Sequence, residues 1–344
     1  MNPLRRFATA ALVALLFTSL AVPSAHATPI DWVTVGDPGN TADTTGDPNP
    51  AGAVADSFRI MKFEFTNEQY KDFLNSVAAT DTYSLYNTTM GSNARGGITR
   101  SGASGSYTYA VKANMGDKPV NYVSWWDAAR VSNWLVNGGT SSSSTETGAY
   151  TLVGGQTSGT APARNSGATF YIPTEDQWYK AAYYSPLLNS GSGGYWTFAT
   201  QSDTVPTPVT SGSTGIGSAG STGNFANYNS DADWNSQDGN VTTVGTNGGA
   251  SAYEAFDMSG NVREWNDLTG AAGSSRGVRG GSWDDGTAFG LSSSIGLENV
   301  PSFEDDFIGF RLASPVPEPA TLGMASGGAL CACGWWVLKR RRRA

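Results

Sequence analysis

Only three residues of this 344-residue chain are Cys or His, and all three lie near its ends: His26, Cys331 and Cys333. The long body between them has neither a thiol nor an imidazole. It can form no disulfide, no Cys nucleophile and no Ser-His-Asp triad, and no zinc, copper or non-haem iron site built on Cys or His. With 43 Gly and only 15% charged residues, such a chain is expected to fold as a loop-rich α+β body held by packing and hydrogen bonds.

The two ends read as addresses. Residues 1–27 carry Arg5 and Arg6, an apolar run from Ala10 to Val22, and Ala25-His26-Ala27. That is the order of a secretory signal peptide, and it predicts a mature chain starting at Thr28. The apolar run is short for a membrane anchor. At the other end Pro317-Glu318-Pro319 precedes a weakly apolar stretch, 320–338, followed by Lys339 and Arg340–Arg343. About 20 such residues suffice to span a bilayer as a helix, and the basic cluster would hold the terminus in the cytosol with the body outside. Without these ends, residues 28–316 keep 14 basic and 28 acidic side chains, a net charge of −14. An acidic, exported body is a poor nucleic-acid binder. Hard cations or neutral glycans suit it better.

Within the body, residues 28–56 read as an extended N-terminal segment rich in Asp, Gly, Pro and Thr turns. Three helix starts follow. Thr66-Asn-Glu-Gln69 is a capping box flanked by Phe65 and Tyr70 as a hydrophobic staple, with Tyr70, Phe73, Leu74 and Val77 at helical spacing. Ser124-Trp-Trp-Asp127 opens a second helix, with Ala128, Val131 and Leu135 on one face. Thr174-Glu-Asp-Gln177 opens a third, carrying Trp178, Ala181 and Ala182. The Gly/Ser/Thr-rich stretches 137–168 and 189–223 read as surface insertions with little core-forming content. From Tyr253 onward the chain reads as brief aromatic-rich strands and turns.

Six strings then stand in order: Phe63-Glu-Phe-Thr-Asn-Glu-Gln-Tyr70, Pro119-Val-Asn-Tyr-Val-Ser-Trp-Trp-Asp-Ala128, Tyr171-Ile-Pro-Thr-Glu-Asp-Gln-Trp178, Asp257-Met-Ser-Gly-Asn-Val-Arg-Glu-Trp265, Val278-Arg-Gly-Gly-Ser-Trp283 and Gly309-Phe-Arg311. Together they resemble the formylglycine-generating enzyme, or sulfatase-modifying factor, family over residues 57–314. The resemblance implies a variant C-type lectin fold, a single loop-rich domain with little regular secondary structure and structural calcium. The tail, 315–344, resembles a PEP-CTERM sorting signal. That implies recognition by an exosortase and cell-surface attachment or release in an exopolysaccharide-producing bacterium. An ordinary single-pass anchor is the alternative, and both place the body outside the cytoplasm.

Catalytic members of the family bind copper through two cysteines shortly after the Gly-Gly-Ser-aromatic turn. The matching positions here hold Asp285 and Gly290, neither of which offers a soft thiolate for Cu(I). The His ligands of the related iron oxygenases are missing as well, so oxidase activity is not expected. Two calcium turns carry over from the family. One is Gly260-Asn-Val-Arg-Glu-Trp265, with the Glu264 carboxylate and the carbonyls of Ser259, Gly260 and Val262 as ligands. The other joins Asn227-Tyr228 to Asp238-Gly239-Asn240. Oxygen-only ligands on flexible turns suit Ca²⁺. A competing reading makes Glu264 a buried carboxylate satisfied by backbone N–H groups or Arg279, with Trp265 in the core. Asp284-Asp285 reads as a solvated turn or, where the resemblance places the family's active-site groove, as a site for a cation or sugar hydroxyls; Glu304-Asp305-Asp306 reads as a solvated acidic cluster. Trp196 and Trp234 read as inward-packing loop anchors, or as sugar-stacking platforms.

The functional expectation is an exported, non-catalytic binding or display module of the exopolysaccharide layer. The alternatives are an enzyme of the family with residual or different activity, and a purely structural matrix protein.

Overall fold

The computed structural model describes residues 28–317. The leader, most of the Pro-Glu-Pro tail, His26, Cys331 and Cys333 lie outside the described residues. Two small sheets, a two-stranded hairpin and three principal helices carry most of the regular structure. In chain order they are β1 (Trp32–Val35), β2 (Phe58–Met61), α1 (Asn67–Val77), β3 (Ile98–Ser101), β4 (Thr108–Val111), α2 (Trp125–Val136), α3 (Glu175–Tyr183), β5 (Arg263–Asn266), β6 (Arg276–Arg279), β7 (Leu297–Asn299), β8 (Ile308–Phe310) and β9 (Ala313–Pro315). This is the α+β, loop-rich single domain expected from the motif strings. Among the described residues no helix is long and apolar enough to cross a membrane.

Each helix starts where its capping box places it. Thr66, Ser124 and Thr174 are the N-caps, and each forms the reciprocal pair with its N3 residue: Gln69, Asp127 and Gln177. Two of the orphan N–H groups at each helix start are thereby satisfied. Phe65 and Tyr70 are both buried at the α1 entry. α2 differs from the expected amphipathic helix. It is buried on nearly all sides, Trp125, Trp126, Arg130, Ser132 and Asn133 included, while Leu135 is only half-buried. The polar residues on α2 survive burial because each has a partner. Arg130 grips Glu146 and the Gln156 carbonyl, and Asn133 bonds the Thr145 carbonyl and the Tyr150 N–H.

Those bonds correct the reading of 137–168 as a core-poor insertion. The segment delivers Ala149, Tyr150 and Ala161 into the core. The Tyr150 hydroxyl donates to Asp267 at 3.0 Å and accepts from the Ile172 N–H at 3.2 Å. The stretch 189–223 likewise contributes the buried Phe198, Ala199 and Val209. Residues 28–56 are built into the same body. β1 pairs antiparallel with β2, which also pairs antiparallel with β9, so Ile60 is flanked by Val33 and Ala313. The second sheet has the order β7-β6-β5-β8, with β8 parallel to β5 and the other pairs antiparallel.

One ion pair ties the two sheets. Glu264 on β5 and Arg311, just past β8, are both fully buried. Arg311 donates from Nε and Nη2 to the two carboxylate oxygens at 2.6 Å each, and Trp178 Nε1 of α3 donates to Glu264 at 2.8 Å. The guanidinium also reaches the carbonyls of Met61 at 3.1 Å and Phe256 at 2.8 Å. One charge pair therefore joins β2, β5, β8 and α3. Beside it lies Glu64, also fully buried, accepting from Asn261 Nδ2 at 3.0 Å and the Val262 N–H at 3.3 Å. Burial first, then the charges of Asp257 and Glu264, push the Glu64 carboxyl well above the usual carboxylate range, against the pull of Arg311.

The two glutamates are therefore expected to answer the same substitution differently. Glu264→Gln leaves a buried guanidinium without its counter-charge and is expected to cost about 3–5 kcal/mol. Glu64→Gln mimics the neutral acid that burial already favours and weakens only the longer bond, at a cost of about 1 kcal/mol. Denaturant unfolding of the two variants measures both. Equal losses would show that Glu64 is held as a charge.

Candidate functional site

The turn after β6 brings Asp285 and Gly290, the two positions matched to the family's cysteines by sequence resemblance, close to each other. Gly281 takes a positive φ of 70°, and the chain then doubles back so that Asp285 faces Gly290. A Cβ placed on Gly290 would lie 2.7 Å from Asp285 Oδ1. Residues 285 and 290 are thus neighbours across one turn. The occupants differ in chemistry from a thiol pair. Arg263 of β5 donates from Nη2 to Asp285 Oδ1 at 2.6 Å and from Nε to Oδ2 at 3.3 Å. The Ser282 N–H adds a bond to Oδ2 at 2.7 Å. A carboxylate held this way offers no thiolate, and both its oxygens are engaged in charge-assisted or backbone hydrogen bonds. Asp284 is exposed, as expected of a turn residue, but Asp285 is half-buried and engaged.

Around this turn the side chains are polar and interlocked. Arg95 lies over the Trp283 ring at 4.3 Å and 3.7 Å from Asp306. Trp283 Nε1 donates to the Asp306 carbonyl at 3.2 Å. The expectation that 304–306 is simply a solvated acidic cluster fails here. Glu304 accepts from Asn87, and burial pushes the carboxyls of Glu304 and Asp306 upward.

The two calcium turns come out unequally. At the first, both Glu264 oxygens are taken by Arg311 and Trp178 in a fully buried position, so the carboxylate does not fit a divalent cation: a guanidinium already stands there. This corrects the assignment of Glu264 as a metal ligand. Its competing reading as a core carboxylate holds, with Arg311 in place of Arg279 as partner; Arg279 instead pairs with Glu175. A Cβ on Gly260 would meet the Asn227 carbonyl at 2.3 Å, Ser259 Oγ accepts the Ala199 N–H at 3.2 Å, and Val262 is buried against Glu64.

The second turn fits a hard cation better. Asn227 and Asn240 are fully buried and in contact, Asn227 Nδ2 donating to the Asn240 carbonyl at 2.9 Å. Asn227 Oδ1 is buried without a hydrogen-bond partner, and so is Asn240 Nδ2. A side-chain carbonyl oxygen left orphaned in the interior has the donor chemistry that Ca²⁺ accepts. Tyr228 is buried beside it, its hydroxyl donating to the Pro206 carbonyl at 2.7 Å. Asp238 does not join this group; it is exposed, and its carbonyl receives Arg95 at 2.7 Å. Among the described residues no three acidic, His or Cys side chains converge as a metal cluster.

Two concavities among the described residues bear on binding. One, of about 380 Å³, has Met61, Phe63 and Glu64 in its walls and Glu68, Gln69 and Asp117 at the α1 start. The other is a broad groove of about 570 Å³ walled by Gln201, Ser202, Thr222, Asn224 and Glu254. Trp234 packs inward, with Nε1 donating to the Val241 carbonyl at 2.8 Å, whereas Trp196 is half-buried. Sequence reasoning quoted Glu64, Arg263 and Arg311 within motif strings without giving them roles. Their partners lie 22 to 198 positions away in the chain, and no local spacing announces such pairs.

A family model described as the sulfatase-modifying factor enzyme 1-like domain matches residues 22–316. Among solved structures, one described as the crystal structure of CarF aligns at a TM-score of 0.50 and 22% identity, over 84% of this chain and 99% of its own. That likeness shows the fold. Two further structures match less closely. The Treponema denticola variable protein 1 aligns at a TM-score of 0.43 and 19% identity, over 83% of this chain and 95% of its own. PvdO from Pseudomonas aeruginosa aligns at 0.43 and 17%, over 84% and 92%. No curated protein matches the sequence. With more than four-fifths of its residues under one family model and the motif strings folded around a shared ion pair, the chain belongs to the sulfatase-modifying factor enzyme 1-like domain family.

Proposed function

We propose that this chain is a non-catalytic member of its family, exported by residues 1–27 and sorted by the PEP-CTERM-like tail, that binds a glycan in the exopolysaccharide layer. The observation carrying the non-catalytic half is the Asp285–Gly290 turn, where an Arg263 ion pair fills the position of the copper-binding thiols. Purified protein supplied with copper and a sulfatase-derived Cys peptide is expected to leave the peptide mass unchanged. Any conversion to the aldehyde overturns the reading.

The glycan half rests on the net charge of −14 for residues 28–316, which disfavours polyanions, and on the groove of Gln201, Thr222 and Glu254, exposed side chains whose oxygens match the hydrogen bonding of neutral sugars, while Asn224 holds the groove wall through Thr200, Ser202 and Thr204. Pull-down on native exopolysaccharide, with Gln201→Ala and Glu254→Ala beside the wild type, tests it. Retention by the wild type and several-fold weaker retention by the variants is the expected result. No retention of any form would favour a structural matrix role. Exosortase processing predicts that the surface form has lost Arg340–Arg343, which intact-mass measurement reads directly; an ordinary anchor would keep them.

Calcium enters as a structural ion at Asn227 and Asn240, with the Tyr228 carbonyl beside them. A ligand present at 100 times its Kd stabilises by about 2.7 kcal/mol. The thermal midpoint is therefore expected to be higher in millimolar calcium than in EDTA for the wild type, with the increment lost in Asn227→Ala. An increment that survives in that variant would place the ion elsewhere.

A further inference from the structure

The first described residue is held by a specific partner. The Thr28 backbone N–H donates to Asp72 Oδ2 at 2.9 Å, and the Thr28 hydroxyl donates to the same oxygen at 2.6 Å. The other oxygen, Oδ1, takes Lys71 Nζ at 2.9 Å, and Lys71 also pairs with Glu68. This face of α1 thus carries two carboxylates against one ammonium. The approach of the arm is fixed as well: Gln69 Nε2 donates to the Pro29 carbonyl at 3.1 Å, and the same Gln69 closes the α1 capping box. Two residues further on, the Asp31 carbonyl receives the Lys62 N–H at 2.8 Å and β1 begins. Burial raises the Asp72 carboxyl, but hydrogen bonds from Lys71 and Thr28 outweigh it and hold the group below the usual carboxylate range.

We propose that Asp72 is a receptor for a new N-terminus: cleavage of the Ala27–Thr28 amide by water, releasing the leader as a carboxylate, leaves a Thr28 α-ammonium docked on Asp72 Oδ2. The inference rests on reading residues 1–27 as a removable leader. Before cleavage Thr28 offers one neutral amide N–H and a hydroxyl. Afterwards it offers a charged group, and charge-assisted hydrogen bonds are roughly twice as strong as neutral ones. The added positive charge also balances the quartet, with Glu68 and Asp72 against Lys71 and the α-ammonium. Export processing would in this way complete a contact of the folded body. The arm so pinned also walls the 380 Å³ cavity, where Thr28 and Pro29 stand opposite Met61 and Phe63.

The test starts from the full chain exported by a secretion-competent host. Its product is first identified by N-terminal mass mapping. The α-amine is then labelled with an amine-selective acylating reagent near pH 7, for wild type and Asp72→Asn, each folded and in urea. A free α-amine has a pKa of about 7.7–8.0. An opposite charge within hydrogen-bond distance raises it by about one unit, which lowers the reactive fraction roughly tenfold. Asp72 touches the amine and Lys71 backs that carboxylate, while Glu68 on α1, Asp31 on the arm and Asp117 on the facing loop line the same cavity, so the acidic groups outnumber the basic one. The expected result is a product beginning at Thr28 whose folded wild-type amine labels about tenfold more slowly than that of Asp72→Asn, with equal rates in urea. A product beginning at Thr28 with equal folded rates overturns the receptor and leaves the leader standing. A product beginning elsewhere, or keeping residues 1–27, overturns both. Should Asp72→Asn fail to fold, the pH profile of wild-type labelling decides: an apparent pKa within about 7.7–8.0 also overturns the receptor.

Discussion

Glu264 and Arg311 form the contact on which the rest of this fold depends. The pair is fully buried, bidentate, and reinforced by an indole N–H from α3, the Met61 carbonyl of the first sheet and the Phe256 carbonyl of the turn before β5. A body this poor in regular structure has few long ladders with which to fix its sheets in relation to each other. A guanidinium supplies five donors in a rigid plane, and here they reach three separate chain segments at once. Replacing such a pair by apolar side chains can be neutral in energy, but removing one partner is not. The pair therefore sets a geometry more than it adds net stability.

The same economy runs through the loop-rich half of the molecule. Asn133 and Arg130 on a buried helix hold the turns of residues 145–156, and Tyr150 returns a hydrogen bond to Asp267 across the core. Segments that look like filler are pinned one polar contact at a time. Positive φ at Gly260 and Asn261 lets the β5 turn press against the Asn227 backbone, and the orphaned amide oxygen of Asn227 sits in the same tight junction.

Helix starts were legible in the sequence because a capping box is a local device: its four residues contain both partners. The family and its fold were legible because six strings appear in order. The role of Glu264 was not, because Gly-Asn-x-x-Glu-Trp reads the same whether a metal ion or a guanidinium faces the carboxylate. Arg311 stands 47 residues away, and only the parallel pairing of β5 with β8 brings it there. The core contribution of 137–168 was hidden for a related reason. Composition averages over a segment, whereas burial here is decided by single residues such as Tyr150. That position 285 carries no thiol is plain in the sequence, but its pairing with Arg263 follows only from the turn's path.

Gly290 has a consequence for how this lineage can change. A Cys introduced there alone would drive its Cβ to within 2.7 Å of the Asp285 carboxylate. A Cys introduced at 285 alone would strip Arg263 of its counter-charge in a site only a quarter exposed. Each single step toward a thiol pair thus damages the present arrangement before any copper chemistry could reward it. A thiol pair at these two positions therefore needs both substitutions together, because the Gly290 main chain and the Arg263 guanidinium both answer to the same carboxylate.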